Sequence, residues 1–328
     1  MAETLTGERI GTTGFPGTRK TWMVLFGFLA MLSTVVFVAP VQGPVSVLLR
    51  NAPMLGMRKP SAVLAFANPV KLQEHFSSIG YDLDAVRTGK TAVPRILLAR
   101  VPDGLAQMKR TQRRKRVFIS LMLPLVLEAN ERVLRVRARV LLYRAKASAG
   151  QALSPAQAKD LARIAASYDV APDRFDLLLA RADAVPPSLA LAQAAIESGW
   201  GTSRFVREGN APFGQWTTQD QRGIVPAGRE EGKTHKIRSF DRLIDSVHSY
   251  LNNLNTHRAY REFRTLRAGM RNNARPLDGY GLVPGMSAYS ERKTEYLTLL
   301  RQVIRANDLR SLDDARLGDK LRFRNSGV

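Results

Sequence analysis

The 328-residue sequence contains no cysteine. Disulfides, thiolate metal sites and cysteine nucleophiles are therefore excluded, and redox chemistry leaves the compartment open. Histidine is scarce: only His75, His235, His248 and His257 occur. None forms the His-Glu-x-x-His pair of a zinc hydrolase, and His248 and His257 read as surface or packing residues rather than ligands. Acidic residues are also few, 28 against 50 lysines and arginines, leaving a formal net charge of +22. So large a basic excess calls for an anionic partner, whether nucleic acid, a phospholipid surface or an acidic polymer. No internal repeat or low-complexity block is evident.

Long apolar runs are rare as well. One starts at Trp22, after Arg19 and Lys20, and stays uncharged to Ala39. As a helix it would span about 27 Å, close to the roughly 30 Å hydrocarbon core of a bilayer. Segment 22–41 is thus expected to be a transmembrane anchor, with 1–21 a cytoplasmic tail and the remainder exported. A cleaved signal peptide is the alternative, although Pro40 and Pro44 disfavour cutting. A second run, Val117 to Leu127, follows the cluster KRTQRRKR at 109–116 and includes Pro124. It is too short for a span and reads as a buried helix with a proline turn. Between Lys109 and Lys146 stand 12 basic and two acidic residues. In an exported chain these fit a solvated face, or a contact with an anionic membrane or wall.

Prolines and glycines punctuate the region after the anchor, so 42–70 reads as a linker and 71–184 as a basic helical region. Arginine alternates with valine over residues 131–142, which suits a strand as well as a helix. Ser154, Pro155 and Gln157 mark a helix start, and that helix should run to about Tyr168. A further helix is expected from Asp173 through Ala182. Pro186-Pro-Ser188 then leads into an alanine-rich helix with Leu189, Ala192 and Ile196 on one face. After Phe205 periodicity is lost; Gly209, Gly214, Gly223, Gly228 and Gly232 punctuate a polar stretch that could hold a hairpin turning near Gly232. Helical pattern resumes at Asp241 and continues to about Ala306, broken near Gly269 and between Gly279 and Gly285. The architecture is α+β, mostly helical, with a small β insert. Residues 185–310 form the expected catalytic unit and 311–328 a C-terminal tail.

One residue in AAIESGWGTSRF, 194–205, is oddly placed. Glu197 ends an apolar helix just before Gly199 and Gly201, where the helix dipole disfavours a negative charge. The dipole and the flanking indole of Trp200 should both push its pKa upward. A carboxylic acid kept protonated near neutral pH can donate a proton to a leaving oxygen, which glycosidic cleavage requires. The solvated helix-end glutamate is the bland alternative. No Gly-x-Ser-x-Gly elbow is present, and Gly199-Trp-Gly201 lacks the third glycine of a dinucleotide loop.

The stretch AQAAIESGWGTSRF, followed by EGNAPFGQW at 208–216, resembles the signature of glycoside hydrolase family 73, and more closely the Bax-type glucosaminidases of Gram-negative bacteria. Further matches follow in order: Glu231 to His235, Asp245 to His257, Arg258 to Arg264, and Tyr289-Ser-Glu-Arg292 with Glu295-Tyr296. The resemblance is dense from about Pro187 to Leu309. It implies a lysozyme-like domain with a small β-lobe, acting on the β-1,4 bond after N-acetylglucosamine in peptidoglycan without a metal or other cofactor. Glu197 matches the general acid and Tyr289 the tyrosine opposite it. Glu231, or Glu230 beside it, lies in the insert that supplies the second carboxylate; if neither reaches the cleft, the acetamido group of the substrate would assist. Asn210 would bind a sugar amide or fix its loop, while Phe213 and Trp216 would stack on sugar faces or pack in the core. Trp200 and Ser290 complete the expected substrate-binding set. The implied setting is the inner membrane of a bacterium, with the catalytic domain in the periplasm on peptidoglycan strands.

The competing readings are a lytic transglycosylase, a non-catalytic wall-binding protein and, from charge alone, a cytoplasmic nucleic-acid binder. A reporter fused after Ala39 is expected to be exported; retention in the cytoplasm would overturn the address and revive the nucleic-acid reading.

Overall fold

The computed structural model describes residues 62–217, 223–225, 236–290 and 292–318. The expected tail 1–21, the anchor 22–41, Glu230 and Glu231 lie outside them. No described helix is long and apolar enough to cross a membrane. All described residues fall in one compact unit, 44–328.

The chain is mostly helical, and one helix forms its axis. The helix α3, Thr111–Ser148, is preceded by a strand β1 (Ala62–Leu64), helices α1 (Pro69–Ser78) and α2 (Leu83–Arg87), and a strand β2 (Ile96–Leu98). Every side chain from Val117 to Leu127 is buried, and the helix runs straight through Pro124. Burial on all sides holds the backbone helical where the proline was expected to turn it. Proline lacks the N–H that would meet the carbonyl four residues earlier, so this is an internal defect tolerated by packing.

The arginine–valine stretch 131–142 is helix, not strand, and the arginines explain the alternation. Arg137 donates to the carbonyls of Leu179 and Ala182. Arg139 pairs with Asp160 at 2.9 Å, and Tyr143 donates to the same carboxylate at 2.8 Å. Upstream, Arg116 pairs with Asp82 and Asp84. Arg116, Arg137 and Arg139 thus have partners within the fold, while Lys109, Arg110, Arg113, Arg132 and Arg135 are exposed, as a solvated face requires. Val140 and Tyr143 join a small core with α4 (Pro155–Ser167) and α5 (Phe175–Arg181). The α4 start is the capping box expected at Ser154 and Gln157.

The main core draws on residues from Leu72 to Leu317, so the basic helical region and the expected catalytic unit share it. Helix α6 (Pro187–Ser198) packs against α3 and is buried from Pro187 through Ala195. It is followed by α7 (Arg204–Gly209), β3 (Trp216–Thr217), β4 (Lys236–Ile237), α8 (Leu243–Thr256), α9 (Arg261–Asn272), α10 (Gly279–Leu282), a 3₁₀ segment Val283–Tyr289, and α11 (Lys293–Ala306). Strands β3 and β4 are antiparallel, with Trp216 opposite Ile237, which gives the expected β insert. Helix α9 continues through Gly269, which points into open space and breaks nothing.

Two corrections concern the ends. Strand β1, inside the expected linker, pairs in parallel with β2, Val63 opposite Leu97. Residues 311–318, expected as tail, close the core: Leu312 is buried, and Gly318 donates to the Val93 carbonyl at 2.8 Å.

The connection into α6 is clamped from two helices, α3 and α9. Asn130 of α3 grips Val185 in both directions, at 2.7 and 2.9 Å. Arg267 of α9, fully buried, donates to the carbonyls of Ala180, Asp183 and Ala184. The buried Asp183 carboxylate takes two hydrogen bonds from Arg271, at 3.0 and 2.9 Å, and lies 3.4 Å from Arg137. Burial alone would raise its pKa, but the arginines outweigh burial and hold it below the ordinary 3.8. A depressed carboxylate adds stability that is present above its unfolded pKa and lost as pH falls through the folded one. Asp183→Asn is expected to cost about 3 kcal/mol at neutral pH. In urea titrations the gap from wild type should close as the pH drops below 3.8; a gap independent of pH would refute the ion cluster as its source.

Candidate active site

Helix α6 ends where its sequence turns to glycine. Gly199 adopts the left-handed conformation at φ 58°, and Trp200 follows at φ 60°. The Trp200 amide reaches back to the Ala195 carbonyl at 2.8 Å, closing the helix. Glu197 sits in this last turn, partly buried. Four residues earlier, and so on the same face, lies the fully buried Gln193.

Four tyrosines surround the carboxyl group: Tyr250 from α8, Tyr260 from a 3₁₀ turn, Tyr289 at the end of the 3₁₀ segment and Tyr296 from α11. Burial raises the pKa of each, and the Glu197 charge raises them further, so all four remain neutral hydroxyls. Glu197 itself is pushed up by burial, and a hydrogen bond with the Tyr296 hydroxyl draws it partway back. No charged group among the described residues contributes to its shift. The arrangement is a partly buried carboxylic acid among neutral donors, which favours the protonated form.

The chain returns past this group immediately. Helix α7, which the sequence did not signal, ends at Asn210 in the left-handed conformation, φ 49°. The loop then brings Gly214, φ 58°, against Glu197: a Cβ there would stand 3.7 Å from its Oε2. The backbone conformation calls for glycine, while a Cβ at that distance would make only ordinary contact.

The other expected residues divide. Tyr289 donates to the Phe213 carbonyl at 3.0 Å and stacks on Tyr296, with ring centroids 5.6 Å apart. Phe213 is buried and stacks on Tyr250 at 3.9 Å, so it packs the core and offers no face to a sugar. Asn210 donates to the carbonyls of Phe240 and Asp241 at 3.1 and 3.2 Å, the loop-fixing alternative. Its Oδ1 is buried without a partner. Trp216 is 66% exposed at the start of the β insert. Trp200 turns toward α3, its ring edge-on to Phe118 at 5.9 Å with the Lys115 ammonium 4.8 Å above it. Ser290 accepts from the Arg292 amide at 3.3 Å, as a turn residue does. Glu231 lies outside the described residues. Gln193, Tyr250, Tyr260 and Tyr296 were given no role from sequence, although all stand in or beside the matched motifs. A lone polar residue one turn before Glu197 on a buried face was the available signal.

Residues 177–309 match the model of the Glucosaminidase family, described as mannosyl-glycoprotein endo-beta-N-acetylglucosaminidase. Over this segment the chain is similar to the glucosaminidase family. The chain is 31% identical over 189 residues to Protein bax of Escherichia coli (strain K12), covering 56% of this chain and 66% of that protein. The match thus spans just under two thirds of the relative's length. A likeness to the catalytic domain of the autolysin Auto from Listeria monocytogenes covers 52% of this chain and 96% of that one. Its 20% identity and TM-score of 0.32 are too low to bear on fold or site. The glucosaminidase domain begins inside α5, includes Glu197 and all four tyrosines around it, and ends at Leu309.

A carboxyl group with a raised folded pKa destabilises the fold at pH values above that pKa, and the penalty vanishes below its unfolded value. Glu197→Gln is therefore expected to stabilise the protein at neutral pH by about 1 kcal/mol. Thermal melts should show the gain disappearing in acid, below the ordinary 4.5 of a glutamate. A destabilised variant at neutral pH would contradict the raised pKa.

Proposed function

We propose that this protein is a peptidoglycan hydrolase, an endo-β-N-acetylglucosaminidase that cleaves the β-1,4 bond after N-acetylglucosamine by general acid catalysis. The observation that carries this reading is Glu197, a carboxylic acid raised by burial and faced by no charged partner among the described residues. Such a group arrives protonated, gives its proton to the glycosidic oxygen as the bond to the anomeric carbon breaks, and is left as carboxylate. Water then adds to the sugar cation and returns a proton.

The neighbours fit supporting roles. The proton of Tyr289 is committed to the Phe213 carbonyl, so its oxygen is free to accept from a water or from the acetamido N–H of the substrate. The exposed ring of Trp216 offers a stacking platform for a sugar, whose C–H face is apolar. Glu231, in the insert between β3 and β4, is the proposed second carboxylate, with acetamido assistance as the alternative. The insert leaves β3 at Thr217, three residues beyond the glycine that abuts Glu197, which favours a residue of this segment as the partner group. The basic surplus suits an acidic wall polymer and an anionic membrane. We place the glucosaminidase domain in the periplasm, tethered to the inner membrane through residues 22–41.

A second reading has one observation in its favour. No other carboxylate among the described residues contributes to the Glu197 shift, and a lytic transglycosylase needs only one. The two differ by a water in the product. Purified peptidoglycan digested with wild type should yield new N-acetylglucosamine reducing ends by mass spectrometry, with one water gained per cut. Glu197→Gln should reduce the rate by about 100-fold or more with the fold intact. Anhydro-sugar ends would instead establish transglycosylation, an unchanged rate in the variant would exclude Glu197 as the general acid, and no cleavage by wild type would leave only a wall-binding protein.

A further inference from the structure

Gln193 is a primary amide buried completely in a core where an apolar side chain would be easier to accommodate. It is tolerated because each half finds a partner. Its Oε1 accepts from the Tyr250 hydroxyl, and its Nε2 donates to the Tyr296 hydroxyl at 3.0 Å. The second bond has a directional consequence. With its oxygen engaged by the amide, Tyr296 keeps its own proton for another acceptor, and Glu197, one turn beyond Gln193 on α6, is the carboxyl group it faces. Donation thus runs one way, from Tyr250 through Gln193 and Tyr296 to the carboxyl group.

The same residues form a closed circuit. Tyr296 stacks on Tyr289 with rings 4° from parallel, Tyr289 donates to Phe213, and Phe213 stacks on Tyr250 with rings 5° from parallel. The circuit joins α6, α8, α11 and the loop after α7. Every member is tied at two points, so no ring can rotate without breaking a stack or a hydrogen bond.

We propose that Gln193 and Tyr296 are positioning residues: they hold the Glu197 carboxyl group in place and deliver a hydrogen bond to the anion it becomes once its proton has left. This rests on the reading of Glu197 as general acid. A hydrogen bond to an ion is stronger than one to the neutral acid, so the contribution grows as the proton transfers, which is when it lowers a barrier. The groups facing Glu197 are Tyr250 from α8, Tyr260 and Tyr289 from the 3₁₀ segments, and Tyr296 from α11, all of them neutral. Among the described residues no cation does this work in their place.

The test combines peptidoglycan cleavage with an NMR titration of ¹³C-labelled glutamate, the Glu197 signal being assigned by its loss in Glu197→Gln. Tyr296→Phe removes the donor and keeps the ring. It should lower kcat about tenfold with KM nearly unchanged. The Glu197 titration and the alkaline limb of the rate profile should both move to higher pH, because the anion has lost its donor. Gln193→Leu frees the Tyr296 hydroxyl to turn away and should shift both in the same direction by less. It also decides the matter if Tyr296→Phe does not fold. Titration curves that superimpose on wild type in the folded variants would overturn the proposal, whatever their activity. A wild-type protein inactive on peptidoglycan would instead overturn the enzymatic reading, leaving the titration to report on the hydrogen bond alone.

Discussion

Helix α6 is buried along most of its length, and the rest of the molecule is arranged around satisfying its two ends. A buried helix terminus leaves unpaired amides at one end and unpaired carbonyls at the other. At the start, Pro186 offers no capping side chain, and Asp313 supplies the cap from far along the chain. Its carboxylate accepts from the Ser188 amide and hydroxyl at 2.7 and 2.8 Å and from the Gly279 amide at 3.0 Å. Burial still pushes that group up to about 6. Glu197 stands at the opposite, negative end. The two carboxyls at the ends of this helix therefore differ in kind: one is held by three hydrogen bonds at the positive pole, the other faces a tyrosine at the negative pole. That asymmetry makes Glu197 the group suited to giving up a proton.

The arginines show that part of the positive charge is spent inside the fold. Arg267 and Arg137 close the carbonyl end of α5, and Arg264 donates to the carbonyls of Leu254 and His257 at the end of α8. Arg95, almost wholly buried, reaches Glu128 and Glu131 on α3 and the Gly318 carbonyl. Guanidinium suits this use, since it carries five donors in a fixed plane and stays charged when buried. Helix C-termini carry partial negative charge, so each such contact is favourable twice over. A substantial part of the basic surplus is thus structural.

What the sequence revealed followed the range of the interactions responsible. The α4 start was legible because its capping box lies within four residues, and Glu197 was legible because the glycines that end its helix are adjacent. Strands β1 and β2 were not, because three-residue strands show no periodicity and their pairing partner is some thirty residues away. Residues 311–318 looked like tail because Leu317 pairs with Val93, more than two hundred residues earlier in the chain. Helix α7 has six residues, too few for an apolar face to repeat. In the site, Phe213 and Trp216 could not be told apart by residue type. Only the fold buries one against Tyr250 and leaves the other in solvent.

The features that cost stability collect at one place. Trp200 and Asn210 adopt left-handed backbone conformations, each unfavourable by about 1–2 kcal/mol for a residue with a Cβ. A carboxyl group is partly buried with no counter-charge among the described residues, a primary amide occupies the core beside it, and an indole is left exposed two residues beyond Gly214. Each departs from what packing alone would select, and all lie within the last two turns of α6 or the loop that doubles back past it. Strain of this kind persists only where the surroundings over-determine it, and here the stacked-ring circuit and the clamp on residues 183–185 do so. A purely structural helix end would need none of these arrangements. Their coincidence around a single carboxyl group supports the proposal that this end of α6 was selected for chemistry at the expense of stability.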